Sequence, residues 1–388
     1  MASEDRILRS EMDAAGANVS VDLAPVREHR DMAESWRSLE ARADCSFFQS
    51  WRWIGTWLAE LPAGIEPLCI RARAGGETVG LALLTPHIAR RHGLVTARQL
   101  HLNATGDPAH DRLTIEHNGF LIDRKGTAAV TAAIFRFLLR RPDLWEELAL
   151  PGIAPSLAAA AGTLGLRAQV IQHSPCRYVD LAFLGDGAYL DYLDSEVRYQ
   201  IRRAHRLYGE PKLERAGTGK AMEYLDGLIE LHEVRWRAVG EAGAFASDFT
   251  RSFHRRLVAE GVPSGDVQLL RTRTGNGEIV GYLYNFVHRG RVYAYQSGFR
   301  RSRDNRLKPG LVSHHLAIEM NRSAGQRVYD FLAGDSRYKR DLSTHATELL
   351  WLVVQRPALK FALENGARTL RSLIRRRTLK AARGEVTR

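Results

Sequence analysis

Asp330, Asp335, Tyr338 and Lys339 stand within one short segment, Asp330–Lys339 (DFLAGDSRYK). In the alternating run Val328-Tyr-Asp-Phe-Leu332, Asp330 shares a strand face with Val328 and Leu332, where an apolar side chain is expected. A carboxylate in that position is either capped or ion-paired, with an arginine of the 198–206 segment as candidate partner, or it keeps a proton through a raised pKa. Asp335, Tyr338 and Lys339 follow in a turn that can bring a carboxylate, a phenol and an ammonium to one cleft. Upstream, Arg300–Gly310 carries Arg300, Arg301, Arg303, Arg306 and Lys308 and runs directly into the helical segment Leu311–Ser323. Gly310 allows close backbone approach, and Leu311–Ser313 present free N–H groups at the start of a helix. With five cations and the helix dipole, that is a cradle for a phosphate or pyrophosphate. Alone it is a weak signal, since basic loops before helices are frequent and no Walker or dinucleotide fingerprint is present.

These residues need a frame. Arg291–Phe299 alternates as a strand, with Tyr293, Tyr295, Ser297 and Phe299 on one face, and Arg327–Leu332 is a second strand beyond the helix. Before them come two helices, Lys220–Val239 and Asp248–Glu260, and two hairpin strands, Val267–Thr274 and Glu278–His288. Ala346–Val354 closes the set. Glu196–Tyr208 is a helix capped by Asp194 or Ser195, with an apolar stripe of Val197, Ile201, Ala204 and Tyr208. Arg198, Arg202, Arg203 and Arg206 flank it; a solvated face is the leading reading, a cationic wall beside a phosphate ligand the other.

The N-terminal part repeats the pattern. Ile70–Gly80 (IRARAGGETVG) parallels Leu270–Gly281 (LRTRTGNGEIVG), each followed by another apolar strand. Around it lie a helix at Asp31–Arg42, an aromatic helix at Ser46–Leu61, a strand at Gln99–Leu102, a helix at Thr127–Arg141, a strand at Leu144–Leu150 and a helix at Pro155–Leu164. The aromatics Phe47, Phe48, Trp51, Trp53 and Trp57 read as core, with ligand stacking as the alternative. Residues 1–25 read as a loosely ordered lead-in and Ser174–Asp194 as a linker. The expected organisation is an N-terminal domain over 26–180, a C-terminal domain over 181–355 and a basic helical tail over 356–388.

The chain has 388 residues, beyond the size at which one core usually stops growing, so two domains are expected. Of its net charge of +12, residues 368–388 hold eight Lys/Arg against one Glu, a net +7 that leaves +5 elsewhere. That body charge argues for no specific nucleic-acid partner. The tail suits an anionic membrane surface, but packing on the protein itself or fraying is the leading reading. Cys45, Cys69 and Cys176 offer neither a metal spacing nor a disulfide framework, so no metal is expected and a reducing cytoplasm fits. His101, His110, His314 and His315 have no ligand spacing and read as surface or helix histidines. No secretory signal and no apolar run of membrane-spanning length are visible.

The order from Lys220 to Val354 resembles the Gcn5-related N-acetyltransferase (GNAT) fold. More narrowly, Ser195–Ala204 (SEVRYQIRRA), Lys308-Pro309-Gly310 and Asp330–Lys339 resemble the acetyltransferases known as CelD-like or BioF2-like, relatives of the FemABX transferases. The resemblance implies an α/β (α+β) chain of two tandem GNAT-like domains, each with a mixed, mostly antiparallel sheet flanked by helices. It implies acetyl-CoA or another acyl-CoA as co-substrate, with its pyrophosphate at Arg306, Lys308, Gly310, Leu311 and Val312 and its pantetheine along Tyr295 and Ser297. Arg202 or Lys339 would steady the donor phosphates or pair with the acids. Asp330 or Asp335 would take the acceptor's proton and Tyr338 protonate the departing thiolate. The expected acceptor is a small molecule or saccharide, in envelope polysaccharide or metabolite modification. The loop has a single Gly and lacks the family's Gln/Arg-x-x-Gly-x-Gly/Ala form, and Leu102–Asp111 in the first half is not basic. One active site per chain is therefore expected, with the first half shaping the acceptor cleft. The alternatives are a Fem-like transferase using aminoacyl-tRNA and a non-catalytic partner of a polysaccharide synthase, docked by its tail at the inner membrane face.

Overall fold

A computed structural model describes residues 19–91, 95–185 and 187–365. In chain order the first half contains β1 (Val19–Pro25), α1 (Met32–Arg42), α2 (Trp51–Glu60), β2 (Leu68–Ala74), β3 (Glu77–Arg91), β4 (Val95–Leu102), β5 (Leu121–Ile122), α3 (Thr127–Leu139), β6 (Glu147–Ile153), α4 (Pro155–Gly162) and β7 (Arg167–Asp180). The second contains α5 (Ser195–Leu207), β8 (Lys212–Arg215), α6 (Ala221–Arg237), α7 (Asp248–Ser264), β9 (Val267–Arg273), β10 (Ile279–His288), β11 (Arg291–Phe299), α8 (Pro309–Ser323), β12 (Val328–Ala333), α9 (Arg337–Leu342) and β13 (His345–Gln355).

All the strands join one sheet in the order β1-β2-β3-β4-β6-β13-β7-β12-β11-β10-β9-β8, with β5 beside β3. The pairings are antiparallel except β4 with β6 and β11 with β12. The closing strands are exchanged: β7, from the first half, pairs with β12, while β13, from the second, pairs with β6. β7 and β13 pair with each other along nearly their whole length.

Helices cover both faces and bury long stretches of β3 and β10 on both sides, whereas β7 and β13, where the halves meet, stay partly exposed. On one face α1, α2, α6 and α7 share a core that unites the halves, with Phe47 stacked on Phe286 at 4.3 Å between ring centroids. On the other, α3 buries Val130, Ile134, Phe137 and Leu138 at helical spacing. α5 buries Val197, Ile201 and Ala204 there and leaves Arg202 exposed.

Three expectations need correction. Residues 19–25 are not a loose lead-in but strand β1, hydrogen-bonded along β2 from Val19↔Ala74 to Pro25↔Leu68. Residues 174–180 are not linker but the end of β7, held between β12 and β13. Tyr338 and Lys339 lie in the helix α9 rather than a turn. The basic tail lies mostly outside the described residues, which at 359–365 show the start of a helix. No described helix is long and apolar enough to cross a membrane.

Candidate active site

β11 and β12 pair in parallel only from Arg291↔Val328 to Tyr293↔Asp330 and then part. The strand β11 is also bulged: Gln296 faces Tyr284 and Ala294 faces Asn285, leaving Tyr295 as the extra residue. Tyr295 is buried, and its hydroxyl donates to Leu113 O in the first half. From Ala294 onward the β11 edge faces a cavity of about 510 Å³ instead of a strand. α6 closes one side, packed so tightly on β11 that a Cβ at Gly298 would lie 2.6 Å from Leu228 O.

Asp330, at the point of divergence, is fully buried. Its partner is not an arginine of the 198–206 helix but Arg291, whose Nη1 donates to Oδ2 at 2.7 Å. His117 Nε2 lies 3.1 Å from the same carboxylate, and Leu332 N–H donates to Oδ1 at 2.8 Å. Burial opposes ionisation, but His117, Arg291 and the Leu332 amide outweigh it and hold the carboxyl well below its usual range. Asp330 is thus an ionised anchor turned away from proton exchange. Cys176 Sγ donates to Asp330 Oδ1 at 3.3 Å, and these two with His117 place three ligand-type atoms within 4.8 Å. Burial drives the Cys176 thiol strongly upward, and the Arg291 cation already pairs with the Asp330 carboxylate.

Past Asp330 the backbone turns sharply, with Leu332 at φ 64°. The groups this exposes are held by a residue from each half. Lys339 Nζ donates to Leu332 O at 3.1 Å and Ala333 O at 2.5 Å, while Ala333 N–H donates to Glu116 Oε2 at 2.5 Å. Glu116 and Lys339 both line the cavity. Burial raises the Glu116 pKa, against the Ala333 amide and Lys339, and burial lowers that of Lys339. Tyr338 stacks on His314 at 5.4 Å with an 11° interplanar angle, and burial raises its pKa. His314 is a helix histidine but not a surface one: it is buried, lies 3.0 Å from Tyr329 Oη through Nδ1, and burial lowers its pKa to about 3. His232 is engaged at both nitrogens, by Ser297 O and by Ala244 N–H. Asp335 is half-exposed and paired with Arg177 at 2.9 Å and Arg340 at 3.0 Å, which hold its pKa down.

The basic loop forms a second cavity of about 370 Å³, bounded by Phe299, Arg300, Arg301, Lys308 and Arg235, and Arg235 lines the first as well. Lys308 caps α8 in the left-handed region (φ 43°), and Pro309 takes the first helical position. Because the helix starts there, Val312 N–H is already given to Lys308 O at 3.2 Å, so the free amides are those of Gly310 and Leu311 rather than Leu311 to Ser313. Arg306 folds back on Asp304, with contacts of 2.8 to 3.1 Å, and stays out of both cavities. Arg202 lines neither. Tyr295 and Ser297 lie on the cavity wall, as do Asp335, Tyr338 and Lys339.

With this geometry in view, residues 195–340 match the family described as an acetyltransferase (GNAT) domain. The protein is a transferase. FemX has a similar fold, at a TM-score of 0.56 and 12% identity over 82% of this chain and 95% of its own. The tandem GNAT protein from the clavulanic acid biosynthesis pathway scores 0.45 at 15% identity over 87% and 99%, and L-PGS from Bacillus licheniformis 0.47 at 10% over 75% and 85%. No curated protein matches by sequence. Sequence reasoning missed Glu116, His117, Arg291 and Arg235. The one trace of the first two was an acid and a histidine inside the apolar stretch Leu113–Ile122.

Proposed function

We propose that the protein is an acyl-CoA-dependent N- or O-acyltransferase of the CelD-like/BioF2-like kind, acting on a small-molecule or saccharide acceptor. The observation that carries this is the parting of β11 and β12 beside a basic, helix-opening loop. Such a slot fits a long donor: a strand edge for an amide-bearing arm, and Lys308, Arg300, Arg301 and the Gly310 and Leu311 amides for a pyrophosphate. An acyl-CoA bound there supplies an activated acyl group as a thioester.

The chain's own groups divide the remaining work. Glu116 is the proton acceptor for the acceptor's amine or hydroxyl, because neighbouring cations lower the proton affinity of Asp330 and Asp335 and His232 and His314 are committed to other partners. Lys339 fixes the Leu332–Ala333 backbone and compensates the Glu116 charge. Tyr338 faces the same cavity as the candidate proton donor to the departing sulfur.

Calorimetry with CoA tests the reading, and Lys308→Ala should weaken binding markedly. No binding of CoA at millimolar concentration by the wild-type chain rejects it. The FemX-like fold favours one second reading, an aminoacyl-tRNA donor, which the same titration separates: transfer from a charged tRNA without CoA binding would establish it.

A further inference from the structure

The first half carries its own version of the parted strands. β4 and β6 pair in parallel only from Gln99↔Glu147 to His101↔Ala149, as β11 and β12 do over three residues. Here the gap is partly refilled by the chain. Asn118 N–H donates to Gly152 O at 2.9 Å, and its side-chain amide donates to Leu102 O and Pro151 O at 3.0 Å each. What remains is a cavity of about 300 Å³, lined by Ala149, Leu150, Val353, Trp57, Trp351 and Ile171.

Three of its polar wall residues, Asn103, Asp111 and His101, are already engaged, while His110 Nδ1 is buried without a hydrogen bond, 3.3 Å from Asp107 Oδ2. Asn103 donates to Asn118 Oδ1 and Gly119 O and accepts from Leu83 N–H. The Asp111 carboxylate accepts from Thr105 N–H, Thr105 Oγ and Gly106 N–H, each at 2.8 Å. His101 Nε2 lies 2.8 Å from Gln99 Oε1, and burial lowers its pKa to about 4, so the ring is neutral. A charged or heavily hydroxylated group would lose its water there with little in return, whereas an apolar one gains from burial. Thr114 lines both this cavity and that between β11 and β12. It is held at φ 50°, a costly conformation for a β-branched residue, as are Asn103 at 50° and His117 at 48° in the same region. The segment between the cavities is therefore pre-set, with Glu116 two residues from Thr114 on the transfer side.

We propose that this cavity holds an uncharged alkyl or aryl arm of the acceptor, whose amine or hydroxyl reaches past Thr114 to Glu116. The assignment rests on the acyl-transfer reading above and narrows its acceptor. A saccharide, if present, sits outside this cavity.

The test is calorimetry on the full chain with the neutral probes N-butyl-, N-hexyl- and N-octylacetamide, with and without CoA. Affinity should rise about fourfold per added methylene until the cavity is full, and CoA should not displace the probe. Ile171→Asp, at a position 58% exposed and so tolerant of change, should abolish the chain-length dependence, and Trp351→Ala should weaken it. A CoA titration of each variant checks that its donor half is intact. Equal affinity along the series overturns the proposal, as does displacement by CoA, which would give the cavity to the donor. Chain-length dependence in a protein that binds no CoA counts for the apolar cavity and against the acyl-CoA reading, so the two failures are distinguishable.

Discussion

Replacing Glu116 with Gln separates proton acceptance from shape. The amide oxygen can still accept the Ala333 N–H that Glu116 Oε2 accepts at 2.5 Å, so the turn after Asp330 should persist. A positioned base contributes about 10²–10⁴-fold to rate, or about 2.7–5.5 kcal/mol of transition-state stabilisation. We expect kcat to fall within that range and CoA affinity to stay unchanged. Burial raises the Glu116 pKa, so the wild-type rate should climb with pH along a limb above the usual glutamate value of about 4.3. The Gln variant should lose that limb. Linkage supplies an independent check. A carboxyl whose folded pKa is raised contributes stability that is present below its unfolded pKa and lost as pH rises through the folded value. The variant, which has nothing to ionise, should therefore gain stability relative to wild type as pH rises through that window. Thiol release under single-turnover conditions from pH 5 to 9 and urea unfolding over the same range make both measurements. A kcat within about threefold of wild type with the limb intact would refute the assignment. A variant that becomes relatively less stable with rising pH would refute the burial argument behind it.

Other perturbations follow from the same contacts. Arg306→Ala should change CoA affinity by less than about threefold, since this exposed guanidinium is spent on Asp304; Lys308→Ala should weaken it by about tenfold or more, the loss of one charge-assisted contact. Both are read by calorimetry. Asp330→Asn should cost roughly 3–5 kcal/mol in urea unfolding at pH 7, the usual result of breaking a buried pair. Because the Asp330 pKa is depressed on folding, its stabilisation is present above the unfolded aspartate value, about 3.9, and is lost as pH falls from there through the folded value, so the two proteins should converge in acid. Gly298→Ala should cost about 1–3 kcal/mol by overpacking, because the new methyl would meet Leu228 O at 2.6 Å; its measure is the urea midpoint.

What could be read from sequence was what local periodicity writes. The stripe of Val197, Ile201 and Ala204 gave α5, and alternation gave β11 its observed bounds, Arg291–Phe299. The aromatics Phe47, Phe48 and Trp53 are core, as their density implied, while Trp57 also borders the apolar cavity. β7 escaped because most of its residues are at least partly exposed and it carries Pro175 and polar side chains; two neighbouring strands make it a strand, not its own pattern. Asp330 was visible as an anomaly, but its partner Arg291 depends on the parallel register that sets Tyr293 against Asp330. Arg306 looked like a ligand for phosphate because a sequence shows a cation and not that Asp304, two residues away, already holds it. Glu116 was hidden because its role comes from a contact with Ala333, more than two hundred residues on.

Under the proposed acyl transfer, the two halves explain why one slot would carry the chemistry and yet need both. Each half parts a parallel strand pair after three residues of pairing, the geometry that leaves backbone edges facing open space. Such edges must find partners or a ligand. In the first half Asn118 supplies them, its side-chain amide bridging Leu102 O and Pro151 O across the gap. Gly152, at φ 63°, is what lets that segment in, since a Cβ there would lie 2.6 Å from Ile115 O. The inserted segment is the one that carries Glu116 and His117 to Ala333 and Asp330. Filling one slot and furnishing the other are thus a single structural act. The exchange of β7 and β13 then fixes the halves' relative position through a continuous ladder, which a carboxylate two and a half ångströms from its amide partner requires.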